Sequence, residues 1–339
     1  MIPKTLRRGL LLAPLAGLAG CNTVVMNPSG DIAAQQAQLI IVSVILMLLI
    51  IVPVLFLVVW FARKYRASNT EAAYEPDWDH STKLELVIWG APLLIIIVLG
   101  LITWISTHKL DPYRPLERLD ANRPIPMSTK PLVVQVVAMD WKWLFIYPEQ
   151  GIATVNELVV PVDVPVRFKI SATSVMNAFY VPELAGMIYA MPGMETTLNA
   201  VQNKPVQSIG FSSNYSGAGY SDMKFAYRGV AQGDFDSWVQ SVKTAGTGNL
   251  DRANYLTLEK PSIKDPVRHF AGVDSDLFYR VLNRCVVDGV VCMDKMMMED
   301  ARKSHEMAMA RMPQNAAATR LAQANGEVCT TPNETVKKK

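Results

Sequence analysis

The stretch from Leu39 to Phe61 reads LIIVSVILMLLIIVPVLFLVVWF and contains no charged side chain. A second apolar run covers Leu86 to Ile105. Each run is long enough for a helix to cross a hydrocarbon core of ~30 Å, and interior prolines are tolerated in such helices. A buried helix of a soluble protein is rarely this long and this apolar. We therefore predict an antiparallel hairpin of two transmembrane α-helices, over 39–62 and 84–106.

The charges around these runs predict how the chain crosses the membrane. Basic residues follow the first run, as Arg63-Lys64-Tyr65-Arg66, whereas residues 22–38 contain no Lys or Arg. Cytoplasmic loops are enriched in Lys and Arg, so the loop 63–83 is expected inside. The N-terminal segment 21–38, the linker 107–130 and everything beyond are expected in the periplasm. The net charge of +3 is spread without a basic cluster, which gives nucleic-acid binding no basis.

The N-terminus has the composition of a secretory signal peptide. Arg7 and Arg8 precede a short apolar run, and Leu18-Ala-Gly-Cys21 follows it. Small residues before a cysteine at this distance resemble a bacterial lipoprotein signal. That resemblance predicts cleavage after residue 20 and lipidation of Cys21 with diacylglyceryl and palmitate. An ordinary signal peptide with a chance cysteine is the alternative.

The middle of the chain changes to short runs rich in β-branched and aromatic residues. Between 131 and 233 these runs are separated by Pro, Gly and Asn at regular spacing, which predicts an all-β domain. Residues 234–292 contain short amphipathic patterns and are predicted to form a helical, aromatic-rich extension. Residues 293–339 are rich in Met, Ala and charge, and we expect a disordered tail.

Four strings in the predicted β domain carry a resemblance to a known family. They are Asp140-Trp-Lys-Trp, Ser174-Val-Met-Asn-Ala-Phe-Tyr-Val-Pro-Glu-Leu, Ile188-Tyr-Ala-Met-Pro-Gly-Met and Tyr215-Ser-Gly-Ala-Gly-Tyr-Ser-Asp-Met-Lys-Phe. In this order, after two apolar helices, they resemble subunit II of haem–copper oxidases, and specifically of the cytochrome bo-type ubiquinol oxidases. The resemblance covers nearly the whole chain. It implies a periplasmic cupredoxin-like Greek-key domain.

The positions of the family's copper ligands are the decisive departure. In cytochrome c oxidases this domain holds a dinuclear copper site through a His and a C-x-x-x-C-x-x-x-H-x-x-M segment. Laid on this sequence, the first His falls on Asn177, the two Cys on Ser212 and Ser216, the second His on Tyr220 and the Met on Met223. A glutamate between the two Cys, which contributes a carbonyl ligand in the family, falls on Asn214. Only the methionine is kept, and no Cys or His occurs between Pro131 and Gly233. Copper that cycles between two oxidation states needs soft thiolates and imidazoles, so we predict that this chain binds no metal here.

Loss of this copper site implies a membrane-dissolved quinol, not cytochrome c, as electron donor. The resemblance then implies a non-haem subunit II of a proton-pumping ubiquinol oxidase in the bacterial inner membrane, which reduces O₂ to water in the aerobic respiratory chain. The haems and one copper are expected in subunit I, with subunits III and IV and membrane lipids as further partners. The chain alone is not expected to be catalytic.

Two further groups of residues gain expectations from the same resemblance. Glu85 begins the second predicted helix, where the family places a glutamate at the cytoplasmic mouth of a proton channel of subunit I. An acid favoured by the helix dipole is the alternative. Trp141, the first tryptophan of the string that also contains Trp143, lies where relatives that bind copper receive electrons from cytochrome c. Without an acceptor beneath it, packing of the β domain is the preferred interpretation of both tryptophans.

The remaining cysteines and methionines allow weaker hypotheses. Cys285 and Cys292 lie in an oxidising compartment on either side of Asp288-Gly289, so a disulfide is plausible, which leaves Cys329 unpaired. Thioethers with His305 provide soft ligands for Cu(I), although Met-rich helices more often serve packing. The methionines concerned are Met293, Met296, Met297, Met298, Met307, Met309 and Met312.

Two other functions were weighed against the quinol oxidase subunit. A subunit II of a cytochrome c oxidase is disfavoured by the absent copper ligands. A stand-alone lipoprotein, tethered to the membrane and binding another molecule, is disfavoured by Glu85 beside an apolar helix, which suits an intramembrane partner better. The haem type of subunit I and the choice between ubiquinol and menaquinol are not encoded in this chain.

Overall fold

Two long apolar helices precede the β domain in the computed structural model, which describes residues 23–73, 76–126 and 129–311. Helix α1 covers Asp31–Lys64 and helix α2 covers Thr82–Lys109. Both are long and apolar enough to cross a membrane, and their apolar side chains are largely exposed. The prediction of two such helices is confirmed, although both extend beyond the predicted bounds.

Helix α1 begins at Asp31 and not at Leu39, because its first turns pack against the β domain. Ala33 and Ala37 are buried there. The backbone N–H groups of Ser29 and Gly30 both donate to the Glu183 carbonyl at 2.9 Å. Residue 30 has to be glycine, since a Cβ would lie 2.5 Å from the Leu184 carbonyl oxygen. Part of the segment predicted to precede the helix is therefore its first two turns.

The β domain is formed by two sheets packed face to face. The strands are β1 Arg118–Asp120, β2 Arg123–Pro124, β3 Leu132–Met139, β4 Lys142–Tyr147, β5 Ile152–Val155, β6 Glu157–Pro161, β7 Pro165–Ala172, β8 Asn177–Tyr180, β9 Ile188–Ala190, β10 Thr196–Val201, β11 Val206–Ser212, β12 Lys224–Val230, β13 Asn249–Leu250, β14 Arg268–Phe270 and β15 Gly272–Val273. One sheet of the sandwich has the order β10-β7-β3-β4-β5-β14 and the other the order β6-β12-β11-β8-β9. The remaining four strands form two separate two-stranded sheets, β1-β2 and β13-β15. The predicted all-β domain is confirmed.

Aromatic side chains fill the space between the two sheets. Phe179 stacks on Phe225 with ring centroids 5.5 Å apart, and Trp143 meets both rings edge-on. Strands β3 and β4 supply nearly continuous buried apolar residues to this core. Burial of several large aromatic side chains of this kind dominates the stability of a small domain.

The extension after the β domain is not purely helical, contrary to the prediction for 234–292. Helices α3 Gln232–Ala245, α4 Arg252–Leu258 and α5 Leu277–Leu282 alternate with β13, β14 and β15. Strand β14 pairs antiparallel with β5, His269 opposite Thr154. The backbone of β5 would otherwise be an unpaired edge, and β14 satisfies its hydrogen bonds.

The expected disorder from 293 onward is wrong for the part that the structure describes. Residues Met293–Arg311 form helix α6, within a second compact unit that begins at Asn283. Met, Ala, Glu and Lys have high helix propensity, and Arg302 pairs with Glu299 and Glu306 one turn away on either side. Residues 312–339, with Met312 and Cys329, lie outside the described residues.

A buried ion pair fastens the extension to the β domain. Lys142, in β4, is 1% exposed, and its Nζ lies 3.5 Å from Asp265 Oδ2, 2.7 Å from the Lys260 carbonyl oxygen and 2.5 Å from Ser262 Oγ. Burial lowers the pKa of the Lys142 ammonium, and the Asp265 carboxylate opposes that shift. For Asp265, burial alone raises the pKa, but the hydrogen bond from Ser262 and the charge of Arg268 hold it below its ordinary value.

We predict that Asp265→Ala destabilises the folded chain by about 3 kcal/mol, because it leaves the Lys142 ammonium buried without its carboxylate. Since the pKa of Asp265 is depressed below 3.8, its contribution is complete at neutral pH and is lost only as the pH falls below that value. Urea unfolding of the detergent-solubilised chain at pH 7 measures the change. Asp236→Ala, at an exposed site, is the control and should shift stability by less than about 0.5 kcal/mol. Equal effects of the two substitutions would contradict the role of the pair.

Candidate functional site

The six positions that correspond to the family's copper ligands meet at one end of the sandwich. Asn177 begins β8 and Ser212 ends β11, and these strands pair antiparallel with Ser212 opposite Phe179. The loop after Ser212 carries three of the other positions, and the last, Met223, precedes β12. Strand pairing and this loop together bring residues that are far apart in sequence into one cluster, here called the ligand-position cluster.

Hydrogen bonds hold the strand side of this cluster together. Ser212 Oγ lies 3.1 Å from Asn177 Oδ1 and 3.2 Å from the Asn214 carbonyl oxygen, so its single hydrogen serves one of them at a time. The same oxygen accepts from the Ala178 N–H at 3.2 Å. Asn177 and Ser212 are 1% and 3% exposed, respectively. A buried pair of polar groups is therefore satisfied within the protein.

The loop side of the cluster is closed by weaker contacts. Asn214 Nδ2 donates to the Met176 carbonyl at 3.0 Å, and Ser216 Oγ lies 3.9 Å from the sulfur of the buried Met223. Tyr220 begins a short 3₁₀ turn, and its ring packs edge-on against Tyr215. At each position where a relative that binds copper has a strong ligand, this chain has a neutral side chain that contacts neighbouring residues.

This donor set does not fit a redox copper centre. Hydroxyl groups and a phenol are hard, weak donors, and an amide does not replace an imidazole. The thioether of Met223 is the one soft donor among the six. No group of three or more His, Cys, Asp or Glu side chains suited to a metal occurs in the part of the chain that the structure describes. No electron-transfer step through this cluster follows from its chemistry.

Trp141 covers the loop of the cluster, and Trp143 lies beneath it in the core. Trp141 has a φ of 74°, and its Nε1 donates to the Ser216 carbonyl at 2.9 Å. Its ring occupies the space beside Gly219, where a Cβ would lie 2.5 Å from the indole. Trp143 is fully buried, and among the described residues its Nε1 has no hydrogen-bond partner. These contacts are those of packing residues.

Glu85 lies in the first turn of α2, in a separate part of the molecule. Its Oε1 is 2.8 Å from His80 Nδ1, and the other ring nitrogen of His80 is 3.1 Å from Thr82 Oγ1. The side chains of Glu85 and His80 are 51% and 60% exposed, so both remain open to solvent or to a partner. His80 did not emerge from the sequence. In the sequence, the only feature that points to His80 is that it is a titratable residue shortly before Glu85.

The other predicted site residues belong neither to the ligand-position cluster nor to the Glu85–His80 contact. The structure joins Cys285 and Cys292 by a disulfide, with Cα atoms 4.8 Å apart. Cys21 lies outside the described residues. Most methionines of α6 are exposed, with Met297 and Met298 at 63% and 65%. The hypothesis of Cu(I) binding is not tested by this arrangement.

A sandwich of this topology on two apolar helices, with an aromatic-rich extension, defines the class of haem–copper oxidase subunits II. Residues 148–230 match the family "Cytochrome C oxidase subunit II, periplasmic domain", and residues 245–289 match the "COX Aromatic Rich Motif". The second match lies within the extension that carries Asp265 and β14.

Curated relatives narrow the class. The chain is 48% identical over 267 residues to the cytochrome bo(3) ubiquinol oxidase subunit 2 of Pseudomonas putida. The aligned residues are 79% of this chain and 82% of that relative. It is 45% identical over 282 residues to the same subunit of Pseudomonas aeruginosa, covering 83% and 82%, respectively. It is 46% identical over 282 residues to the ubiquinol oxidase subunit 2 of Acetobacter aceti, covering 83% and 89%. The chain belongs to the subunit 2 family of ubiquinol oxidases, and the predicted family is confirmed.

We predict that Ser212→Ala lowers the stability of the β domain by about 1–3 kcal/mol, because the Ala178 N–H and the Asn177 amide oxygen both lose the hydroxyl that they contact. The neighbouring Ser213→Ala is the matched control, since Ser213 is exposed and contributes only its backbone N–H, to the Ala178 carbonyl at 3.1 Å. Chemical unfolding of both variants measures the difference. Indistinguishable midpoints would show that the network does not hold the cluster.

Proposed function

We propose that this chain is the non-haem subunit II of a proton-pumping ubiquinol oxidase, the complex named in its curated relatives. The observation that carries the proposal is the ligand-position cluster, in which hydrogen-bonded neutral side chains stand at positions where a cytochrome c oxidase needs thiolates and imidazoles. Electrons from a soluble periplasmic donor therefore have no entry centre in this domain. A quinol dissolved in the bilayer needs none, because it reaches a membrane-embedded site directly.

The redox cofactors then belong to the partner subunit. We infer that subunit I carries the haems and one copper, and that this chain contacts it through the exposed apolar faces of α1 and α2. Subunits III and IV are the further partners of the proposed complex. The role of this chain is to stabilise subunit I from the membrane and from the periplasmic side.

The location that fits this role is the bacterial inner membrane, with the β domain in the periplasm. Arg63, Lys64 and Arg66 at the inner end of α1 support that orientation. Lipidation of Cys21 after removal of residues 1–20 would fix the new N-terminus at the outer surface. The mass of the mature subunit, compared with that of a Cys21→Ser variant, tests the modification.

We propose that Glu85 takes up protons at the cytoplasmic mouth of a channel in subunit I. A carboxylate at the entrance of a membrane helix is retained where it is hydrated or paired. Glu85 meets both conditions, since it is half exposed and lies against His80. The two groups can exchange a proton across their 2.8 Å contact.

We predict that Glu85→Ala slows proton uptake and turnover of the assembled oxidase by about a hundredfold, the lower end of the effect expected when a positioned proton-transfer group is lost. The measurement is oxygen consumption together with proton uptake by the purified complex. Glu71→Ala, in the segment between α1 and α2 and likewise exposed, should leave both unchanged. Normal turnover in an assembled Glu85→Ala complex would remove this residue from proton uptake.

The proposed function is tested by the choice of electron donor. The complex purified with this chain should consume oxygen with ubiquinol and show no activity with reduced cytochrome c, because the β domain lacks an electron entry site. Its optical spectrum should show haem that copurifies with this chain. Oxidation of cytochrome c at a comparable rate would contradict the proposal, and a chain that purifies without haem would favour the stand-alone lipoprotein.

A further inference from the structure

A cleft opens between the two long helices at the end that faces the β domain. One cavity of about 400 Å³ lies between α1 and α2, and a second of about 240 Å³ adjoins it nearer the β domain. The two share Gln35, Lys109 and Arg118 in their linings. The two adjoining cavities are here called the hairpin cleft.

The lining of the hairpin cleft is divided into an apolar part and a polar part. Leu39 and Val42 of α1 face Ile102 and Ile105 of α2 on the side toward the middle of the helices. The shared polar residues and the second cavity lie toward the β domain. An amphiphile with its chains in the membrane and its headgroup at the outer surface matches this division.

The charges in the cleft leave one cation and one anion unpaired. Its linings contain three cations and three carboxylates. Arg118 pairs with Asp31 at 3.1 Å, and Arg114 pairs with Glu117 at 2.6 Å. The remaining two are Lys109, the last residue of α2, and Asp111, whose Oδ1 accepts a hydrogen bond from the Tyr113 N–H at 2.9 Å. Within the described residues, neither has an oppositely charged group within 4.0 Å.

We propose that the hairpin cleft binds one phospholipid with an ammonium-bearing zwitterionic headgroup, of the phosphatidylethanolamine class. Lys109 donates to the lipid phosphate, and the Asp111 carboxylate accepts from the lipid ammonium. The acyl chains lie on Leu39, Val42 and Ile102. An anionic lipid satisfies only Lys109 and places negative charge beside Asp111, and a choline headgroup has no N–H to donate.

The alternative role for Lys109 is compensation of the helix dipole at the end of α2. That role needs no lipid and predicts no preference among headgroups. The proposal differs from it in requiring the apolar half of the cleft as well as the charge. Substitutions in the two halves therefore separate the two accounts.

The test uses the assembled complex in mild detergent with a phosphatidylethanolamine that carries a photoactivatable group in one acyl chain. Crosslinked peptides from the outer halves of α1 and α2 are identified by mass spectrometry. We expect Lys109→Ala to reduce their labelling by about tenfold, the equivalent of one charge-assisted hydrogen bond. Val42→Trp, which fills the apolar half, should reduce it similarly. Lys243→Ala removes the same charge from the exposed surface of α3 and should change nothing.

Competition by unlabelled lipids completes the test. Phosphatidylethanolamine should displace the label at lower concentration than phosphatidylcholine or phosphatidylglycerol. Equal competition by the three lipids would overturn the proposal, as would labelling that survives both substitutions. Absence of label from these peptides would also overturn it, since another subunit or the chain's own lipid anchor would then fill the cleft. None of these outcomes affects the choice of quinol as electron donor.

Discussion

The hydrogen bond between the Ser212 hydroxyl and the Asn177 amide oxygen joins two strands. In relatives that bind copper, the metal holds the chain together at the same place. In such relatives the metal itself ties the loops to the strands, and its loss leaves polar positions that have to be satisfied by other means. Here Ser212, Asn214 and the indole of Trp141 take over that function. The loop keeps its course because Trp141 fills the space beside Gly219 and holds the Ser216 carbonyl.

The rest of the β domain is consistent with a structural role for this subunit. Its core is continuous and aromatic, and the buried Lys142–Asp265 pair ties the extension to β4. The two long helices differ from the β domain, because their apolar faces remain exposed along most of their length. Such faces are stable only in lipid or against another membrane protein, so the two helices need one or the other to cover them.

Much of this arrangement could be predicted from the sequence. Two uninterrupted apolar runs leave few alternatives to membrane helices, and the replaced ligand positions follow from aligning one short motif.

The start of α1 could not be predicted, because residues 31–38 are polar enough for a loop and become helical through packing of Ala33 and Ala37 on the β domain. Strand β14 was missed for a similar reason: Arg-His-Phe has no strand pattern of its own and is ordered by the free edge of β5. Helix α6 was mistaken for disorder because its charge and lack of buried residues resemble a solvated tail, whereas its helix propensity is high. The Glu85–His80 contact depends on a loop conformation that no spacing rule encodes.

The most direct test of the account is the copper content of the isolated β domain and extension, expressed in the periplasm and then exposed to Cu(II) and Cu(I) before removal of unbound metal. Atomic absorption and electron paramagnetic resonance would be measured on the same sample. The account predicts less than stoichiometric copper and no signal of a mixed-valence dinuclear centre, because none of the thiolate or imidazole ligands is present. Two coppers per chain with such a signal would contradict it, and electrons would then have a periplasmic entry into the complex.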